Sequence, residues 1–369
     1  MCSIYSFDDG GAERVAVLLA NALAEEGCDV SFIAAHDRGP NRRFLDRNIG
    51  VTSRDRSSHI VQIPRIAEAI RREQPDILLS HKTPRNAVSI AAHLISPGRR
   101  TRAAVCVEHG PMSLNSTQGG TGRKLYYQTA RAFYPFADGV VAVSENVRQD
   151  VISYISPLKV DPLVLRNPVV SNTIEALSLQ RPQHEWLIKK DLPVFLAVGR
   201  LEAEKNFHLL LDAFSVASAT RACRLVIAGN GRMLGSLEQH RAALHLEALV
   251  AFMGYLENPY AAMRSADALV SSSDWEGLPT VAIEALACGT QVVSTDNSTG
   301  IQEILAGGRL GFIVPKGDPD LLAQGMISAL DNPFPRAALI EQSRSYSTTV
   351  AAREYVSFFD RLLKAKTVV

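Results

Sequence analysis

Residues 193–206 read PVFLAVGRLEAEKN. Five apolar residues between a proline and a glycine are too few for a helix. They read as a strand buried on both faces, the habit of a parallel sheet. Similar short runs follow it: CRLVIAG (223–229), LVAFMGY (249–255), ADALVSSS (266–273) and TQVVSTD (290–296), with helical patterns between them. Alternation of this kind predicts an α/β domain with a parallel sheet.

The same pattern runs through the preceding half. CDVSFIAAH (28–36), DILLSH (76–81), RAAVCVEHG (102–110) and GVVAVS (139–144) read as strands, and AERVAVLLANALAEEG (12–27) as a helix stopped by Gly27. RNPV (166–169) closes that series, and the polar residues 170–192 read as a linker region with no clear strand. The expected architecture is therefore two doubly wound, Rossmann-like α/β domains, at 1–170 and 171–349. A C-terminal helix at 350–369 would place Val356, Phe359 and Leu363 on one face and bridge back to the first domain. In such folds ligands bind at the carboxyl ends of strands, and the crevice between two domains is the natural site.

Composition narrows the function classes. The chain has 369 residues, 46% apolar and 21% charged, and a net charge of +1, which gives no bias toward nucleic acid. Residues 1–170 carry 21 Lys/Arg against 17 Asp/Glu, a mild basic excess that would suit an anionic partner or membrane surface. The five cysteines are far apart, which argues against a zinc site or disulfide scaffold and fits a reducing cytosol. No apolar run approaches the ~20 residues of a spanning helix, and MCSIYSFDDGG has no signal-segment pattern. The expected location is cytoplasmic.

Several residues could carry chemistry. Arg200 and Lys205 lie just beyond the end of a strand, where they would clamp a diphosphate or stand as solvated loop charges. Gly229 and Gly231 would let the backbone approach a ligand, or serve a tight strand-to-helix turn. With Leu234 in place of glycine they do not form the dinucleotide fingerprint. DWEGLPTVAIE (274–284) starts a helix near Leu278 to Thr280, with Pro279 suited to its first turn. Its N–H groups offer an anion or sugar-hydroxyl site. Glu276 stands before that helix and Glu284 lies ~6 Å further along it, so the acids would meet different parts of an elongated ligand. An exposed helix acid is the bland alternative for Glu284.

In the first half, Gly10 and Gly11 precede a helix whose N-terminus phosphate-bearing groups could approach, although a tight turn also needs glycine. His109 falls at a strand end as a site residue or a satisfied structural histidine. RKLYYQTARAFYPF (123–136) mixes Arg123, Lys124 and Arg131 with aromatics, as a membrane-interface helix or an ordinary surface helix would. DPD (318–320) has the D-x-D form of a metal motif, but Asp318 reads better as a helix cap before Pro319.

In order, GGAERV, EHG, AVSENV, RNPV, AVGRLEAEKN, IAGNGR, FMGYLENPY, DWEGLPTVAIE, ALACGTQVVSTD and GFIVPKGD closely resemble the retaining glycosyltransferases of family 4, with the GT-B fold. The resemblance implies a nucleotide-sugar donor held by the second domain. Arg200 and Lys205 would hold its diphosphate and Glu284 its ribose. Glu276, with the backbone of Gly277, Leu278 and Pro279 next to Thr280, would contact the sugar. Gly229, Gly231, Tyr255 and Leu256 would lie near the base. From the first domain, Gly10 and Gly11 would approach the diphosphate and His109 the donor sugar. The acceptor would enter from that side, with Arg42, Arg43, His81 and Lys82 as candidate contacts.

The resemblance further implies retention by front-face attack, no bound metal and no cofactor. Donors would be UDP-hexoses or UDP-N-acetylhexosamines, and acceptors lipid-linked or cell-surface glycans such as lipopolysaccharide cores. A non-catalytic sugar-nucleotide binder, or an epimerase or phosphorylase of the same fold, is the competing class. The family has more residues before GGAERV than MCSIYSFDD supplies, so either the first strand is abbreviated or the true start lies upstream.

Overall fold

A computed structural model describes residues 1–8, 10–53, 59–117 and 121–367, without the side chains of 59, 60 and 121–123. Asp9 and the side chain of Arg123 therefore lie outside the described residues. The chain forms two compact units, Met1–Val169 with Tyr346–Val369, and Val170–Ser345.

The first unit holds a seven-stranded sheet. Its strands are β1 (Cys2–Ile4), β2 (Ser31–Ala34), β3 (Gly50–Ser53), β4 (Ile77–His81), β5 (Ala103–Glu108), β6 (Gly139–Ala142) and β7 (Leu163–Val164). Their order is β3-β2-β1-β4-β5-β6-β7, and every pairing is parallel. The order reverses between β1 and β4, so a crevice opens beyond their carboxyl ends. β1 is only three residues long yet central, with Cys2 paired to Phe32 on one side and Leu79 on the other.

The helix Gly11–Glu25 packs its apolar face, including Val15, Leu19 and Leu23, into this unit. It stops as the sequence suggests. Gly27 has φ +88°, its N–H donates to the Ala24 carbonyl, and the Cys28 N–H reaches back to Leu23 at 3.0 Å.

The terminal helix, Thr348–Thr367, is built into this first unit. Its buried face is Ala351, Ala352, Tyr355, Phe358 and Phe359. Val356 and Leu363, expected inside, are only half-buried, because the stripe is rotated toward Tyr355 and Phe358. Phe358 lies so close to Gly139 that a Cβ there would stand 2.7 Å from its ring.

The second unit holds β8 (Val194–Val198), β9 (Arg224–Ala228), β10 (Val250–Phe252), β11 (Ala268–Ser271), β12 (Gln291–Thr295) and β13 (Phe312–Val314), in the order β10-β9-β8-β11-β12-β13. All pairings are again parallel, and the reversal falls between β8 and β11. Phe195, Leu225, Val270 and Val293 from the strands pack with Leu210, Phe214 and Met326 from the covering helices. Burial on both faces explains the unbroken apolar runs.

Residues 170–192 are not a bare linker. They form the helices Thr173–Ser178 and Glu185–Ile188, with Ile174 and Leu187 buried in the second unit. Helices of one turn or so carry too few apolar residues to show a period. No helix among the described residues is long and apolar enough to cross a membrane.

Candidate functional site

In the second unit the chain leaving β8 and the chain leaving β11 are tied together beyond the switch point. Ser272 Oγ donates to the Lys205 carbonyl at 2.9 Å, and the Asp274 N–H donates to the Glu204 carbonyl at 2.9 Å. Asn206, in the left-handed region at φ +45°, donates from Nδ2 to Asp274 at 2.9 Å. Its Oδ1 also accepts from the Leu209 N–H at the start of the helix Phe207–Thr220.

This frame brings Lys205 to Glu276. The ammonium is ion-paired with Glu276 Oε1, and Ser273 Oγ donates to the same oxygen at 2.9 Å. Both charged side chains are mostly buried, 18% and 15% exposed, so the pair is screened far less than a surface pair. The backbone N–H of Glu276 donates to the Asn297 carbonyl, fixing the turn. Arg200 is exposed beside this pair in sequence, with Nη2 3.2 Å from Glu204 Oε1.

Gly277, Leu278 and Pro279 are buried ahead of the helix Thr280–Ala287, with Pro279 at its cap. Gly300 allows this turn its depth, since a Cβ there would stand 2.8 Å from Leu278 Cδ1. Glu284 is half-buried one turn inside the helix. Its carboxylate already has a protein partner, the Tyr260 hydroxyl at 3.2 Å. Burial, with the Glu284 charge second, pushes the Cys288 thiol up to about 12.

Gly229 and Gly231 are explained by packing within the protein. A Cβ on Gly229 would stand 1.8 Å from the Gly199 carbonyl oxygen, and one on Gly231 would stand 2.3 Å from that of Leu201. Gly229 has φ +146°, and its N–H donates to the Gly254 carbonyl at 2.8 Å. These glycines let the turns after β8, β9 and β10 lie against one another. Tyr255 is exposed, but the Leu256 side chain is buried at 7%, leaving only its backbone for a ligand.

In the first unit Gly10 caps the helix Gly11–Glu25, and Glu13 in its first turn is ion-paired with Lys82. A Cβ on Gly10 would stand 2.2 Å from Glu13 Oε2, so that glycine makes room for the carboxylate. Lys82 itself is held at φ +71° directly after β4, with its N–H on the Val107 carbonyl.

His81 and His109, from the ends of β4 and β5, meet at 2.9 Å between Nδ1 and Nε2 with their rings stacked. Burial lowers His81 to about 3 and takes His109 well below its usual range, so both rings are neutral at pH 7. His81 is thus a buried partner of His109. Arg42 and Arg43, also candidate acceptor contacts, already have partners in the protein. Arg42 is paired with Asp37 at 2.6 Å, and Arg43 lies over the Phe44 ring.

The sequence reading passed over Glu108, which is 2% exposed. Tyr134, Asn86 and Thr83 all donate to its carboxylate. Burial outweighs these three donors and raises Glu108 to about 7. Glu13, Arg85, Ser273 and Tyr260 were also missed. Glu13 and Glu108 stood inside the quoted GGAERV and EHG, but only contact between distant strand ends reveals their roles. Asp318 caps the helix Pro319–Asp331 by accepting from the Leu321 N–H at 3.0 Å. No cluster of metal-ligating side chains occurs among the described residues.

Comparison with known proteins gives consistent results along the whole chain. Residues 9–167 match the family model Glycosyltransferase Family 4, and residues 180–346 match Glycosyl transferases group 1. An N-acetylgalactosaminyltransferase of Campylobacter jejuni, named for a diphospho-undecaprenol-linked acceptor, is 26% identical over 93% of each chain. The lipopolysaccharide core biosynthesis glycosyltransferase LpsE of Rhizobium meliloti is 26% identical over 95% of this chain and 94% of its own. An uncharacterized glycosyltransferase of Methanocaldococcus jannaschii is 29% identical over 65% of this chain, which spans 60% of that protein's length. Among solved structures, Anabaena HepE in complex with UDP superimposes at a TM-score of 0.77, with 18% identity, 98% of this chain and 99% of that one covered.

Proposed function

The chain belongs to the family 4 glycosyltransferases, and from that premise we propose that it transfers a sugar from a nucleotide-sugar donor to a lipid-linked or cell-surface glycan with retention of configuration. The observation that carries this reading is the Lys205–Glu276 pair at the switch point between β8 and β11. Cation, carboxylate and helix N-terminus stand together there, where a doubly wound fold binds its ligand.

Lys205 and Arg200 would take the donor diphosphate. Glu276, released from Lys205 as the phosphate arrives, would then accept hydroxyls of the sugar together with the backbone of Gly277, Leu278 and Pro279. Glu284, already bonded to Tyr260, would accept a ribose hydroxyl, and the base would lie by Tyr255 and the glycine turns. The family resemblance would add Gly10, Gly11 and His109 as donor contacts. Fixed cations and helix N–H groups stabilise a leaving diphosphate without a metal, and front-face attack leaves Glu276 a positioning group.

UDP-hexose or UDP-N-acetylhexosamine is the proposed donor. The names of the Campylobacter and Rhizobium relatives support a lipid-linked or lipopolysaccharide acceptor. Exposed Leu125, Tyr126 and Phe136, beside Lys124 and Arg131, suit contact with a membrane surface.

A donor screen read by mass spectrometry tests this, with candidate UDP-sugars and a glycolipid extract in the presence of a chelator. Transfer of one sugar, with the α-anomer of an α-linked donor retained by NMR, is the expected result. Nucleotide binding without any turnover would favour a non-catalytic binder, and a phosphate-dependent or 2-epimeric product would place the chain in the competing enzyme classes.

A further inference from the structure

Beyond β1 and β4 in the first unit lies a cavity of about 280 Å³, lined among others by Ser6, Asp8, Glu13, His81, Lys82 and Arg85, with Asp8 already bonded by the Ser6 hydroxyl. It occupies the switch point of that sheet, the same topological position as the Lys205 site in the other sheet. Its volume lies just below the ~300–1,000 Å³ of drug-sized pockets and suits one substituted sugar ring.

Three of its lining residues are more than nine-tenths buried and carry a polar atom with no partner among the described residues. These are Glu13 Oε2, His81 Nε2 and Arg85 Nη1. Arg85 is the most telling. It is 1% exposed, donates from Nε to Ser3 Oγ at 2.7 Å and from Nη2 to the Ile33 carbonyl at 3.0 Å, and meets no carboxylate among the described residues. Burial lowers its pKa to about 9, so it remains a cation at pH 7. A buried cation without a counter-charge is costly, and an incoming anion removes that cost. Lys82, whose ammonium meets only one oxygen of Glu13, is strained at φ +71° at the same wall.

We propose that this cavity is an acceptor subsite for an acidic sugar unit. Its carboxylate or phosphate is met by Arg85 and Lys82, while Glu13 Oε2 and His81 Nε2 take ring hydroxyls. Glu13 accepts a hydroxyl proton, and the neutral His81 ring serves a hydroxyl in either tautomer. The inference rests on the glycosyltransferase reading for the word acceptor, whereas the anion site stands on the cavity itself.

Calorimetric titration of the full chain, saturated with UDP, tests it with glucuronate, glucose 6-phosphate and glucose as probes. UDP keeps the sugar acids off the Lys205 site. An acid binding at least tenfold more tightly than glucose is expected, and the acid that does so identifies carboxylate or phosphate as the source. Arg85→Gln should abolish that preference. Because Arg85 is fully buried, Lys82→Ala is the second variant, with the preference reduced threefold or more. Equal binding of glucose, no binding of either acid (as water filling the cavity would give), or an unchanged preference in a folded variant overturns the proposal. If the acids bind but UDP does not, the donor reading fails, and loss of the acid preference in Arg85→Gln shows that the anion site remains.

Discussion

The Lys205 ammonium is ion-paired with the Glu276 carboxylate, although 71 residues of chain separate them. Each neutralises the other in a largely buried setting, so removing one leaves the other uncompensated. Lys205→Ala and Glu276→Ala should each lower turnover at least tenfold, the equivalent of ~1.4 kcal/mol. Their double mutant should lose less than the product of the two effects, because the second removal relieves a stranded charge. Steady-state kinetics on the four proteins measures this. Near wild-type rates in both single variants would remove the pair from the site.

Glu284 and Tyr260 give a second test. Glu284→Ala should weaken nucleotide binding by ~1.5–3 kcal/mol, the range for hydrogen bonds to charged groups. Tyr260→Phe removes the 3.2 Å bond to the carboxylate and leaves the carboxylate itself, so its loss should be smaller. Titration with UDP separates the two. Unchanged affinity in Glu284→Ala would exclude a ribose contact.

Much of this was legible in the sequence. The runs of β8, β9, β11 and β12 are apolar on both faces and bounded by glycine or polar residues, so their strand character shows without a partner. β7 and β13 are two and three residues long, too short for any period to appear, and β3 (GVTS) offers only Val51 as a large apolar residue. The acids and cations of the second unit are local to strand ends and stand out. What could not be read was pairing across distance. Nothing near Lys82 in sequence marks Glu13, 69 residues away, as its partner, nor Tyr134 and Asn86 as donors to Glu108. Such contacts are made by the strand order, not by spacing.

Glu108 should give the fold a specific pH dependence. Burial raises its pKa to about 7, so the folded state holds a proton that an unfolded glutamate releases near 4.5. Stability from this group is therefore present below about pH 4.5 and is lost as pH rises through about 7, at up to ~1.4 kcal/mol per unit. His81, lowered to about 3 by burial, acts oppositely. Its contribution is present above about pH 6.5 and is lost as pH falls through about 3. Glu108→Gln isolates the first effect. The stability of the variant relative to the wild type should rise between pH 4.5 and 7, by on the order of 2–3 kcal/mol. Denaturant titrations across that range read it, and a constant difference would mean that Glu108 is ionised throughout.

Gly229 distinguishes a ligand cradle from a backbone joint. An alanine there would place its Cβ 1.8 Å from the Gly199 carbonyl oxygen, a rigid backbone atom, at a φ of +146° that side chains rarely adopt. The backbone strain alone is worth ~1–3 kcal/mol, and the collision adds to it. The turns after β8 and β9 would have to separate, breaking the bonds from the Gly199 N–H to the Ala228 carbonyl and from the Leu201 N–H to the Asn230 carbonyl. Arg200 sits between those two residues, so loss of the joint should reach the proposed nucleotide site as well. Gly229→Ala should therefore lower the melting temperature and the UDP affinity together. A variant with weakened UDP binding and an unchanged melting temperature would show instead that the glycine serves the ligand directly.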